Sequence, residues 1–353
     1  MKIAMISDLH FGCRKGSKVF YESQKRYFET EFIPLLEEKG ITELYILGDL
    51  WDNRESINAK VQNVVFHIFE RLSELKINTT ILIGNHDTQY KTNIETHTLK
   101  YLSLFDNITV IDKITDIEID GLGVTLFPWQ VDDMFTVRKY DNKVAFGHFD
   151  ISGCLLNKTT VQEGGTGQSF FWKNFDKTFS GHFHTQSHYD GPEGQTIDYI
   201  GSPYHLNRND IDTDKGFMIL DTDTLEFERF NSTTPLKYIK VKYPLDISKI
   251  DIPNNIIDVH VTISDKFNSK NLTKYIQSIE TNASGEPINV NVVPHYSIDD
   301  GNPMIVEEDL SKIKSIPDMI QSKLSTIEDM EPDMKDYVTK YVQEVYESCQ
   351  AIE

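Results

Sequence analysis

The sequence predicts an α/β fold, followed by a small α+β module and C-terminal helices. Three observations lead there. Up to about residue 232, short apolar, β-branched runs alternate with segments of helical periodicity. A break follows at Asn231-Ser-Thr-Thr-Pro235, and new strand-like and helical segments begin after it. Beyond residue 303 the pattern is helical alone.

Val61, Val64, Val65, Ile68, Phe69, Leu72 and Leu75 recur at helical spacing and make 57–75 an amphipathic helix between two strand segments. Residues 215–221 and 225–230 flank Thr222-Asp223-Thr224 as the arms of a hairpin. In the second module 237–243, 256–263 and 288–293 read as strands and 268–279 as a helix. Then 297–303 reads as a loop, and 306–327 and 332–349 as helices, the last opening on proline. The domain limits are therefore 1–232, 235–297 and 304–353. A chain of 353 residues exceeds the ~250–300 at which single cores stop growing, so more than one module is expected.

Apolar residues at 39% and charged residues at 25% are the proportions of a globular chain. Three widely spaced cysteines argue against a disulfide framework, and no apolar stretch reaches membrane-spanning length, so a cytoplasmic protein is expected. The net charge of −20 opposes nucleic-acid binding, but residues 299–353 hold fourteen acidic against five basic side chains, a net of −9. Nearly half the excess thus lies in the tail.

Chemistry is concentrated where apolar runs end. Five runs close on a side chain able to bind metal: Asp8, Asp49, Asn85, His148 and His182, four of them directly after glycine. Sites form where strands run out into loops, so these residues should converge. Asp8-Leu-His10 and His182-Phe-His184 add ligands two residues on, on the same side of an extended backbone. Any one such residue is more often a turn former or a surface histidine. Independent turns, however, have no reason to draw acid, histidine and asparagine at successive strand ends.

Asp-x-His, Gly48-Asp-Leu-Trp-Asp52, Gly84-Asn-His-Asp87, Gly147-His148 and Gly181-His-Phe-His184 follow in order the signature that the chain shares with calcineurin-like metallophosphoesterases. Within that superfamily it resembles the SbcD nuclease branch, including tailed-phage recombination nucleases, through His148-Phe-Asp-Ile-Ser-Gly153, Tyr199-Ile-Gly-Ser-Pro203 and its modular layout. The resemblance implies a β-sandwich flanked by helices, with a small capping and DNA-binding domain. It also implies two divalent ions, by family habit manganese: one on Asp8, His10, Asp49 and His184, the other on Asp49, Asn85, His148 and His182. It leaves His86 free as the residue that stabilises the transition state or protonates the leaving oxygen, with Asp52 to orient it. Some nuclease members carry histidine at the Asp52 position. The partners implied are DNA, an SMC-like ATPase docked on the C-terminal helices, and a second copy of the chain.

The Arg-Gly that phosphoprotein phosphatases place after the second motif is missing, since Asn53-Arg54 follows Asp52. A phosphodiesterase or phosphatase for small molecules or proteins is the competing enzyme class, and a scaffold with a degenerate site is the third reading. Arg14, Lys15, Lys18, Lys25 and Arg26 read equally as a track for a DNA backbone or as a solvated face. Glu163-Gly-Gly-Thr-Gly167 reads as a flexible connection or a loop near substrate.

Overall fold

The computed structural model describes residues 1–90, 93–130, 134–263, 268–282, 285, 287–296 and 338–340. The loop expected over 297–303 lies outside the described residues, as do the helices expected over 306–327 and 332–349 apart from 338–340. Met1–His295 is one compact unit.

The chain opens a parallel sheet with β1 (Lys2–Ile6), β2 (Glu43–Ile46), β3 (Asn78–Leu82) and β4 (Ile108–Ile111). Between them run α1 (Lys18–Tyr27), α2 (Ile33–Lys39) and α3 (Ala59–Glu74). Alternation along each strand decides which core a side chain joins. Ala4, Ile6, Leu44 and Ile46 pack with the helix residues Val61, Val65 and Phe69, whereas Ile3, Met5, Tyr45 and Leu47 turn to the opposite face. α3 begins at Ala59 rather than at 57 because the Asn58 side chain accepts from the Lys60 amide and caps it there.

A second sheet holds β5 (Thr115–Ile119), β6 (Leu122–Phe127), β7 (Val144–His148), β8 (Lys177–Gly181), β9 (Ser187–Asp190) and β10 (Thr196–Tyr199). Their order is β9-β10-β8-β7-β6-β5. α4 (Gln168–Asn174) lies before β8. Val124, Leu126, Phe146 and Phe179 meet Ile3, Met5 and Tyr45 to form the core between the sheets, while Phe127, Ala145 and Tyr199 pack outward with Phe171 of α4. Each large aliphatic or phenylalanine side chain among them contributes about 1.5–3 kcal/mol, so this double use of the strands is what holds the layers together.

The chain then returns through β11 (Gly216–Asp221), antiparallel to β1 with Met218 opposite Met5, and β12 (Phe227–Asn231), completing the order β12-β11-β1-β2-β3-β4. These hairpin arms are shorter at their first residues than expected. Lys215 turns inward to a buried carboxylate, and Leu225 sits at φ 58° in the turn. Two six-stranded sheets flanked by helices are the expected α/β sandwich. A three-stranded sheet of β13 (Tyr238–Lys242), β14 (Ile256–Ile263) and β15 (Asn289–Tyr296) follows, with α5 (Ser269–Glu280). It has its own core of Val241, Ile257, Val259, Val261 and Ile279. Among the described residues no helix is long and apolar enough to cross a membrane.

Candidate metal centre

β1, β2 and β3 run parallel, as do β7 and β8, so their C-terminal ends bring the loop residues of both sheets to one place. Asp8 and His10 follow β1, Asp49 follows β2, Asn85 and His86 follow β3, His148 ends β7, and His182 and His184 follow β8. Asp8, His10, Asp49 and His182 stand at φ of 55°, 43°, 54° and 87°. Such left-handed backbone costs about 1–3 kcal/mol per residue and is least unfavourable for Asp, Asn and His. Hydrogen bonds between the loops hold it: the Asp8 amide donates to Gly48 O at 3.1 Å, the His10 amide to Asp49 O at 3.0 Å, and the His182 amide to the Asp8 carboxylate at 3.0 Å. Glycine is required at Gly84, where a Cβ would strike the Asp49 amide and carboxylate, and at Gly48, with φ 94° against the His148 ring.

The side chains gather in overlapping groups: Asp8, His10 and His184; Asp49, His148 and His182; and His10, Asp49 and His86. Asp49 Oδ2 lies 3.6 Å from His10 Nε2 and 3.4 Å from His148 Nε2, between the first two groups. Asn85 Oδ1 stands 3.0 Å from both His148 Nε2 and His182 Nδ1. The Asp8/His10 pair serves one place as expected, but His182 and His184 point to different groups. Extended alternation governs neither pair, since Asp8, His10 and His182 all stand at positive φ, and the separation of His182 from His184 is the one the family resemblance implies.

His148 Nδ1 lies 2.7 Å from Leu47 O, which can only accept, so this nitrogen carries the proton. Its Nε2 then faces Asn85 Oδ1 and Asp49 Oδ2. Likewise His10 Nε2 and His184 Nε2 stand 3.1 Å apart. In the metal-free protein a proton on one ring nitrogen bridges each such pair, a divalent cation can take its place, and a mixture of imidazole nitrogen and oxygen suits a borderline metal. The residues fit a two-metal centre.

Charge follows the same geometry. Burial alone would raise the Asp49 carboxyl, but His148, His10 and His86 hold it well below the usual carboxylate range. Burial opposes a charge on His148, yet the Asp49 carboxylate beside it, with Asp8, lifts the imidazole to about 9. His182 falls to about 3 through burial and its neighbour His148. A metal must therefore displace a proton from His148 near neutrality. We expect apparent manganese affinity to fall by about tenfold or more for each pH unit lowered from 9 towards 6, with at least one proton released per chain on loading, since His148 is raised to about 9 and His10 is raised as well. Calorimetry in buffers of different ionisation enthalpy would show this; pH-independent binding without proton release would contradict it.

His86 is half-buried, its amide 2.8 Å from Asp49 Oδ1 and its Nδ1 2.8 Å from the main-chain oxygen of Asp52. The Asp52 carboxylate instead stands 3.3 Å from His10 Nδ1, so the group that orients His86 is the Asp52 carbonyl, not its side chain. Three further groups escaped the sequence reading. Asp87, buried, accepts from the amides of Gly84 and Trp51 at 2.9 and 3.0 Å and ties the loops after β2 and β3 together. Burial and the Asp49 charge push its carboxyl up to about 7. Buried Lys215 donates to Asp210 at 2.6 Å and to the His184 carbonyl at 2.7 Å. Trp129 lies against His182 and His148, with ring centroids 5.1 and 6.1 Å away. Asp87 has a visible signal in the fourth residue of Gly-Asn-His-Asp; the other two have none.

A family model described as calcineurin-like phosphoesterase matches residues 1–186, which hold every ligand expected from the sequence. The chain is 25% identical over 353 residues, 98% of each chain, to exonuclease subunit 1 of Enterobacteria phage T4. It is 26% identical over 280 residues, 68% of this chain and 72% of the other, to the SbcD component of the nuclease SbcCD of Staphylococcus epidermidis. A solved dimetal phosphatase from Danio rerio matches with a TM-score of 0.41 and 7% identity, over 66% of this chain and 99% of that one. The ordered motifs, their convergence at the strand ends and a family match over more than half the chain lead to one conclusion: the chain belongs to the calcineurin-like phosphoesterase family.

Proposed function

We propose that the chain is a two-metal-dependent DNA nuclease, acting as exonuclease and endonuclease, and the nuclease subunit of a complex with an SMC-like ATPase in DNA recombination and repair. The observation that carries this reading is the alignment with a phage exonuclease subunit over 98% of both chains. Asp8, His10, Asp49 and His184 would hold one ion and Asp49, Asn85, His148 and His182 the other, with manganese suited to the histidines and the oxygen donors. Bound there, the ions supply Lewis-acid polarisation of a phosphate and a water made acidic enough to attack it. The chain's own part is to fix Asp49 between the two groups, to hold His86 by the Asp52 carbonyl, and to present His86 as the group that faces developing charge or gives a proton to the leaving oxygen.

Hydrolysis of single- and double-stranded DNA beside an aryl phosphodiester and a phosphopeptide, with manganese and with chelator, tests the reading. DNA cleavage that needs manganese more than magnesium is the expected result. Cleavage of the small ester or the peptide with DNA untouched would replace it with the competing phosphodiesterase or phosphatase.

The domain limits 1–232, 235–297 and 304–353 belong to the same proposal, with nuclease, capping and docking roles. Met334, Tyr337, Val338, Tyr341, Val342, Val345, Tyr346 and Cys349 repeat at helical intervals, and an apolar helical stripe laid into a partner's groove is a recurrent mode of recognition. Deleting 304–353 should abolish capture of the cognate ATPase while sparing metal-dependent cleavage of short DNA. Retained capture, or loss of folding, would place the stripe in the protein's own core.

A further inference from the structure

Trp129 sits beside the candidate metal ligands but offers no metal-binding atom, which leaves its role to be explained. It follows Pro128 just past the end of β6, and its amide donates to the Ile83 carbonyl at 2.7 Å, two residues before Asn85. This bond ties the residue to the same loop that carries Asn85 and His86. Its indole lies 5.1 Å from the His182 ring at 43° and 6.1 Å from the His148 ring at 72°. The residue is only partly buried, in contrast to Trp51 at 1% exposure, so part of a large aromatic surface stays open beside the two histidines.

We infer that Trp129 is a stacking platform for the nucleobase next to the scissile phosphate. The inference rests on the nuclease reading and adds a recognition element to it. A phosphodiester held at the proposed metal position of Asp49, His148 and His182 carries its flanking nucleosides on short tethers, so a base unstacked from its neighbours falls within reach of an indole at this position. Every base has a π-face, and stacking on an aromatic ring is tolerant of sequence, which suits an enzyme that must degrade any strand. An acidic protein gains from such a term, because stacking does not depend on its net charge.

The test uses the full chain, manganese, and two short single-stranded oligonucleotides identical except for one abasic residue beside the cleaved bond. Trp129→Ala should lower kcat/KM on the normal strand about tenfold or more and change it little on the abasic strand, with Trp129→Phe close to wild type on both. An equal loss on both strands would overturn the inference and make Trp129 a packing residue for His182. Binding of the normal strand should also quench wild-type tryptophan fluorescence more than that of Trp129→Phe, a difference absent with the abasic strand. This reports on stacking even if the alanine variant does not fold, and equal quenching in both proteins would likewise overturn the inference. Wild-type protein that cleaves neither strand but hydrolyses an aryl phosphodiester would defeat the nuclease reading itself, a separate outcome.

Discussion

Asp49→Ala is expected to empty both metal positions and to leave less than about a thousandth of wild-type activity, because it removes the one carboxylate common to both proposed ligand sets. Asp49 Oδ2 lies within 3.6 Å of His10 and 3.4 Å of His148, and Oδ1 takes the His86 amide, so one side chain positions three histidines. Breaking a buried ion pair usually costs about 3–5 kcal/mol. Burial raises the carboxyls of Asp8 and Asp87, and the Asp49 charge adds to it, so its removal relieves part of that crowding in the metal-free protein. The fold should therefore survive, and Asp49→Asn, which keeps the shape, should lose metal in the same way. Metal analysis of the purified variants alongside circular dichroism decides the matter. Two ions retained in a folded Asp49→Ala protein would refute the bridging role.

His86→Ala is expected to cut turnover by about a hundredfold or more while leaving metal occupancy near wild type, the scale usual for losing a positioned acid or base. His86 lies with His10 and Asp49, with ring centroids of His10 and His86 4.8 Å apart, so a role as ligand is the geometric rival. Its Nδ1 is engaged by the Asp52 carbonyl, which leaves a single nitrogen for chemistry. Manganese titration of the variant separates the two roles: unchanged stoichiometry with collapsed turnover fits the acid or electrostatic role, and loss of an ion makes His86 a ligand. Asp52→Ala should harm His86 little, because the interaction is with the main chain, and should act instead through His10.

How far the sequence reached is clearest at the strand ends. Asp8, Asp49, Asn85, His148 and His182 were visible because each follows an apolar run, and strands that run parallel deliver their ends together. The glycines before four of them have a separate cause, now apparent: at Gly84 and Gly48 a side chain would occupy the space of Asp49 and His148. The separation of His182 from His184 was legible only through the family resemblance, which sets them on different ions, since the pairing read from extended backbone puts both in one place. Lys215 escaped altogether. A lysine at the first position of a hairpin arm reads as a surface residue, and only the fold brings Asp210 and the His184 carbonyl to its ammonium. Trp129 and Asp52 likewise took their places through contacts distant in sequence.

Two ions held by this set of side chains should act together on DNA. Titrating manganese into the metal-free chain while counting bound ions and DNA cleavage in the same samples tests this most directly. The account predicts two ions per chain, with cleavage rising as the second position fills and ceasing in excess chelator. Full cleavage with a single ion bound, or in chelator, would contradict it.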